Sequence, residues 1–455
     1  MNKYYLEYPI VESDFSSQEL RVISILKEVG VLVGEIFARQ VEKDYLPGAN
    51  FYPENVTKEE LLEAANLNPL ILDPYTVVKK DSEGNLYAVP YHEEYNDVLV
   101  KITKLLTDAS KLVDNASFKK YLEVAAHEFL HGNYSAVEKA WIAVENTSRL
   151  HLMVGPLGSY ADRLFSLKKA YNLNFTYTSK KVTFNPENYV EVIRNMLPPF
   201  GSKARQDVPP EKIMIRVDDV ICIGGRNAAL PARAVNYPED IETIRECGVK
   251  MVVYTNNIVR RDGNMLTPLF RDLLDAKVQE SFSDEFLIAN AVRFVMAHEI
   301  TEAIFQYEGS WQRLKGMFNF VMELHSSIVG IKACGYQVVK GALSQKDLEA
   351  ILYIMLMRTF SDYFVRKTTP QVENYLSGYR VFYNYCVENG AIVLQHDSIL
   401  TNSSKMFMCA DQLANVIMHI FAEGSEEEAK DFFAKYTSEY MYEYFSDKLA
   451  KYDFK

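Results

Sequence analysis

The chain has 455 residues, 49 of them basic and 61 acidic, with a formal charge of −12. That length buries a sizeable core and predicts two lobes, while the acidic balance provides no electrostatic footprint for nucleic acid. The amino-terminal MNKYYLEYPIVESDF lacks the apolar core and cleavage site of a secretory signal, and no uncharged run approaches the roughly 20 residues of a membrane span, so a cytoplasmic protein without membrane contact is expected.

In chain order, apolar residues recur at helical spacing from Ser17 to Glu42. LPGANFYPENVTKEE (Leu46 to Glu60) then supplies Pro and Gly punctuation, with Asn55 or Thr57 placed to cap the next helix. Helical patterns resume over Tyr95–Asn133 and Tyr134–Asn146. In NFTYTSKKVTF (Asn174 to Phe184), KIMIRVDDVICIGG (Lys212 to Gly225) and VKMVVYTNNIV (Val249 to Val259), β-branched and aromatic residues dominate, which reads as strands. After Met265 the chain reads as helical almost to its end. A mixed α/β first half and a helical second half, with a cleft between them, are expected. The five cysteines are scattered and form no C-x-x-C pair, so neither a disulfide framework nor a thiolate zinc site is indicated.

Two helices carry metal-like spacing. AAHEFLHG holds a literal H-E-x-x-H at His127, Glu128 and His131. On a helical wheel both imidazoles fall opposite the apolar stripe of Phe118, Leu122, Ala125 and Phe129, and Gly132-Asn133 ends the helix directly after them, so a solvent face is expected.

In EFLIANAVRFVMAHEITEAIFQY, apolar residues occupy every side of the helix, which places His298, Glu299 and Glu302 in a buried element. There each unpartnered polar group costs on the order of 2–7 kcal/mol. His298 and Glu302 are one turn apart on one face, a spacing at which two side chains grip one ion. GMFNFVMELHSSIVGI is a second apolar helix whose inward acid is Glu323, a candidate third ligand. Glu299, rotated about 100° from His298, is then the candidate general base. His325 points elsewhere, to the surface or to the edge of the site. A buried hydrogen-bonded network without metal fits the same spacing. Carboxylate in place of an imidazole weakens the Lewis acid and admits harder ions such as manganese or iron beside zinc.

Several blocks together resemble the dipeptidyl peptidase III metallopeptidase family, above all its branch fused to Nudix domains in plants and bacteria. They are PGANFYPENVTKEE, PYTVVKKDSEGNLYAVPY, VGPLGSYADRLFSLKKAY, NYPEDIETIRECGVKMVVYTNNI, HEITEA and MELHSSIVG, in the family's order and over nearly the whole chain. The resemblance implies an α+β, predominantly α fold in two lobes. Residues 1–262 would form a mixed α/β lower lobe with a small β-barrel-like sheet, 263–425 a helical metal-bearing upper lobe, and 426–455 a C-terminal helix packing back on the body.

The resemblance further implies one divalent metal on His298, Glu302 and Glu323, zinc first, with iron or manganese as alternatives. It gives Tyr160 the stabilisation of the tetrahedral intermediate and Asn236 the substrate backbone, and it assigns no metal to His127. Four positions depart from the family pattern: Gly158 replaces an acid, Glu239 an asparagine at the substrate's amino terminus, Tyr375 a cleft histidine, and Glu302 a zinc-binding histidine. Three readings follow: a metal-dependent hydrolase of a peptide or amide bond with Glu299 as base; a repurposed lyase, isomerase or redox metalloenzyme acting on a small molecule; and an inactive peptide- or ligand-binding homologue. The partner expected is a peptide or small-molecule substrate, and the sequence indicates no oligomeric state.

Overall fold

The computed structural model describes residues 3–41, 49–159, 161–162, 164–178, 212–229, 231–238, 241–305, 307, 309–366, 372–395 and 397–452. The fold is α+β and predominantly helical. Two compact units divide the chain: Met1–Lys181, Arg216–Ala232 and Pro238–Cys247 form the first, and Val182–Ile215, Arg233–Tyr237 and Gly248–Lys455 the second. Among the described residues the strands form open sheets and no closed barrel. No described helix is long and apolar enough to cross a membrane.

In the first unit, helix α1 (Ser17–Val41) presents Val22, Leu26, Val29, Val33 and Ile36 to the core at the helical period. Strand β1 (Tyr5–Glu7) precedes it, and β2 (Thr76–Lys80) and β3 (Leu86–Pro90) form a hairpin. Strands β4 (Leu150–Pro156), β5 (Tyr171–Thr178) and β6 (Ile213–Gly225) run antiparallel in that order, and β1 lies antiparallel to β6. A Cβ on Gly224 would stand 2.3 Å from the Gly30 carbonyl oxygen, so glycine lets α1 and β6 meet backbone to backbone. Thr57 caps the helix Lys58–Leu67 in a capping box with Glu60. Helix α2 (Asn96–Ser110) packs between α1 and α3 (Ala116–Glu128).

The loop after β4 is organised by one carboxylate. Asp162 is buried, and its oxygens accept from the backbone N–H groups of Leu164, Phe165, Leu167 and Lys168 at 3.0–3.1 Å and from the Tyr52 hydroxyl at 3.0 Å. Lys168 Nζ, also buried, donates to the carbonyls of Ile71 and Asp73 and to Thr76 Oγ1. Burial pushes its pKa down to about 8.

In the second unit, β7 (Ala234–Tyr237) pairs antiparallel with β8 (Val249–Tyr254). The strand expected to reach Val259 ends at Tyr254, where α4 (Thr255–Leu273) begins. Ile258, Leu266, Leu269, Phe270 and Leu273 keep helical spacing that the strand-like residues Val249–Tyr254 masked. The rest is a bundle of α5 (Asp284–Ile304), α6 (Phe318–Val339), α7 (Gln345–Val365), α8 (Glu373–Glu388) and α9 (Ser403–Glu423). Within the stretch expected to be helical, β9 (Ile392–Gln395) and β10 (Ser398–Thr401) form a hairpin, with Asp397 at φ 61° in the turn.

Candidate metal centre

Ser283 starts α5 by accepting from the Phe286 N–H at 3.2 Å, and Asp284 and Glu285 fill its first turn. Beyond that turn the helix is buried on several sides through Leu287, Ala291, Phe294, Val295, Met296 and Ile300. Helix α6 lies along it, and its contact is closest at Gly330, where a Cβ would stand 3.0 Å from the Ala297 carbonyl carbon and 3.2 Å from the His298 nitrogen. Seven residues before Gly330, two turns along α6, stands Glu323.

This packing brings the three ligand candidates together. One ligand atom each from His298, Glu302 and Glu323 lies within 4.8 Å of the other two. His298 Nε2 is 3.6 Å from Glu302 Oε2 and 3.3 Å from Glu323 Oε2. On the other side of the ring, His298 Nδ1 meets Ser327 Oγ at 3.1 Å. With Nε2 committed to an ion, Nδ1 is the protonated nitrogen and donates to Ser327, which fixes the tautomer a metal ligand needs. Burial pulls the His298 pKa down, but Glu302 and Glu323 outweigh it and hold the imidazole protonated well above its usual range.

Glu323 Oε2 is buried and has no hydrogen-bond partner among the described residues; the imidazole at 3.3 Å is near enough to attract it yet lies off hydrogen-bond geometry. An imidazolium shared between two carboxylates is one way to hold that oxygen. A divalent cation fits the donor set of one imidazole nitrogen and two carboxylates, and would satisfy it.

Glu299 follows His298 and is half-buried. Burial and the neighbouring Glu302 push its pKa up to about 8, against the pull of His298. Tyr375 on α8 has its ring centroid 6.5 Å from the His298 ring, and its hydroxyl donates to the Glu323 carboxylate. Asn236 lies on β7, opposite Met251 of β8. Tyr160 and Glu239 lie outside the described residues.

The H-E-x-x-H of α3 is a surface feature: the His127 side chain is 68% exposed, the His127 and His131 rings stack at 4.4 Å, and His131 Nδ1 bonds the His127 carbonyl. His325, expected at the surface or the edge of the site, is instead fully buried between the rings of Phe305, Tyr307 and Phe421 at 5.0–5.8 Å. Burial, with His298 adding to it, pushes its pKa down to about 3. Its aromatic neighbours come from α9 and the segment after α5, so periodicity along α6 alone did not reveal them. Sequence reasoning also missed Ser327, although its position four residues after Glu323 put it on the same helical face.

With the geometry in place, comparison with solved structures identifies the architecture: the fold is that of dipeptidyl peptidase III. The Caldithrix abyssi enzyme superposes with a TM-score of 0.81 at 20% identity, covering 96% of this chain and 94% of that one. The dipeptidyl peptidase III of Corallococcus sp. strain EGB superposes with a TM-score of 0.78 at 19% identity, covering 98% and 92%. Among curated proteins, Nudix hydrolase 3 of Arabidopsis thaliana is 25% identical over 426 residues, 86% of this chain and 54% of that protein. The chain thus spans about half the length of that relative. No family model matches.

Proposed function

We propose that this protein is a metal-dependent hydrolase acting on a peptide or amide bond. The observation that carries the reading is the convergence of three donor atoms within 4.8 Å, from two helices. His298, Glu302 and Glu323 would hold the ion, zinc first. A divalent ion bound there supplies Lewis acidity that makes water a nucleophile near neutral pH. Glu299, next along the helix and with its proton affinity raised by burial, accepts the proton of the attacking water and passes it to the leaving amine. Asn236 is assigned to the substrate backbone, Glu239 to the substrate's amino terminus, Tyr160 to the developing oxyanion, and Tyr375 to holding Glu323 and bordering the substrate. The peptidase fold and the hydrolase name of the plant relative support the reaction class. The match over part of a Nudix-named protein supports a place in the Nudix-fused branch.

Glu302 in place of an imidazole is the one observation favouring a second reading, in which iron or manganese serves lyase, isomerase or redox chemistry on a small molecule. Metal analysis of the purified protein, followed by assay of a peptide mixture, separates the two. Stoichiometric zinc, peptide turnover, and its loss in Glu299→Gln with zinc retained are expected. Full activity in Glu299→Gln would remove the base assignment, and a protein that takes up no metal after supplementation would remove the hydrolase.

A further inference from the structure

The histidine pair at the end of α3 belongs to the first unit and has no part in the His298 cluster. His127 stands in the last turn of α3 and His131 three residues beyond its end, and both are exposed. Their backbone is fixed. Gly132 at φ 72° stops the helix, and the Glu128 carbonyl accepts from the His131 N–H at 3.0 Å and from the Asn133 N–H at 3.2 Å. A Cβ on Gly132 would stand 2.5 Å from His92 Nδ1, so glycine lets this turn seat against the His92 ring.

The hydrogen bonds of the two rings decide which nitrogen carries the proton. His131 Nδ1 meets the His127 carbonyl at 2.8 Å, and His127 Nδ1 meets Glu128 Oε1 at 3.3 Å. A carbonyl and a carboxylate only accept, so Nδ1 is the donor in each ring and Nε2 keeps its lone pair. Neither Nε2 has a hydrogen-bond partner among the described residues. This is how an imidazole is prepared for a metal: one N–H is tied to an oxygen, which sets the tautomer and leaves the other nitrogen bare.

The rings are also side by side, with centroids 4.4 Å apart and planes 18° from parallel. Nε2 lies opposite Cβ in an imidazole, so in both rings it is directed away from the backbone. Two nitrogens at about 2.0–2.1 Å from one ion stand roughly 3 Å apart, and exposed rings reach that by tilting together at their outer edges. Capping of the helix end accounts for His131 Nδ1, but not for a second imidazole stacked on the first with its own Nδ1 tied down. The carbonyl end of a helix favours a cation as well. We infer that His127 and His131 chelate one divalent transition-metal cation through their Nε2 atoms, with water in its remaining positions. Copper should bind there more tightly than nickel or zinc. Glu128 is engaged with His127 Nδ1, so the pair binds an ion and ties the turn after α3 to its last turn without supplying a general base. The inference does not depend on the hydrolase reading.

The test is calorimetric titration of the untagged full-length protein with nickel ion alone, on the parent, His127→Gln, His131→Gln and His298→Gln. The parent and His298→Gln should both hold a nickel site that is weakened at least about tenfold in His127→Gln and in His131→Gln, because the second imidazole of a chelate acts at high effective concentration. Two independent imidazoles would instead lose half their sites in each variant and keep their affinity. Saturating nickel should also raise the urea midpoint of His298→Gln, and this gain should vanish when His131→Gln is added to it. If His298→Gln does not fold, the parent and the two exposed-site variants decide. No nickel binding by the parent, a nickel site lost only in His298→Gln, or unchanged affinity in His127→Gln or His131→Gln would each overturn the inference.

Discussion

Gly330 rests against the backbone of Ala297: a Cβ would stand 3.0 Å from the Ala297 carbonyl carbon and 3.1 Å from its oxygen, so a side chain fits only if a helix gives by a few tenths of an ångström. The contact holds α6 at the distance that puts Glu323 beside His298. Gly330→Ala gains about 1 kcal/mol of helix propensity but loses about 1–3 kcal/mol to overpacking, so stability should drop only modestly. Metal affinity should fall further, by about tenfold, because displacement acts directly on ligand distance. Competition with a chromophoric chelator, beside a urea titration, measures both; unchanged affinity would separate the glycine from the centre.

Glu302 is the candidate ligand that departs from a two-imidazole centre, and its side chain is 24% exposed. Glu302→His should raise zinc affinity and the preference for zinc over manganese, since imidazole is the softer donor and removes one negative charge. A steep fall in zinc affinity would mean that the Glu302 geometry serves something other than ligation. Affinities of both ions for parent and variant decide the matter.

His325 gives a pH signature apart from the acids. Buried among aromatic rings, it stays neutral in the folded protein down to about pH 3, whereas the unfolded chain takes up its proton near pH 6.5. Between those values the unfolded state binds the extra proton, so stability falls as pH falls, by up to about 1.4 kcal/mol per unit. His325→Leu should remove that component and leave neutral-pH stability little changed, because neither ring nitrogen has a hydrogen-bond partner among the described residues. Urea midpoints for both proteins between pH 7 and 5 should diverge as the pH drops; parallel curves would refute the assignment.

Asp162 closes the loop after β4 through four backbone N–H groups and a tyrosine hydroxyl. Asp162→Ala should cost about 3–5 kcal/mol, since several buried donors lose a charged acceptor together. Asp162→Asn, which keeps acceptor capacity on one atom, should cost less. Chemical denaturation with an unchanged m-value checks the order of the two.

The helix of His298 was legible because its signal is local: apolar residues on every side of Glu285–Tyr307 announced burial, and His298 with Glu302 announced one face. Glu323 was legible for the same reason, as the inward acid of an apolar helix. Strand β6 appeared within one residue of its expected start because a β-branched run with Pro209-Pro210 before it and Gly224-Gly225 at its end carries its own ends. What stayed hidden depends on partners far along the chain. Nothing near Gly330 signals that Ala297 will lie against it, and the ion pairs of Asp262 on α4 reach Arg233, just before β7, and Arg358 of α7. The aromatic cage of His325 likewise closes only with Phe421, almost a hundred positions downstream.

His298, Glu299 and Glu302 occupy little more than one turn of α5, so their mutual spacing is set by covalent backbone geometry. Thermal breathing between helices can alter the distance to Glu323 but hardly the offset between Glu299 and the imidazole. The centre thus has a single soft coordinate, and amino-acid changes in the surrounding wall are free to redirect which molecules enter without disturbing the stiff part of the chemistry.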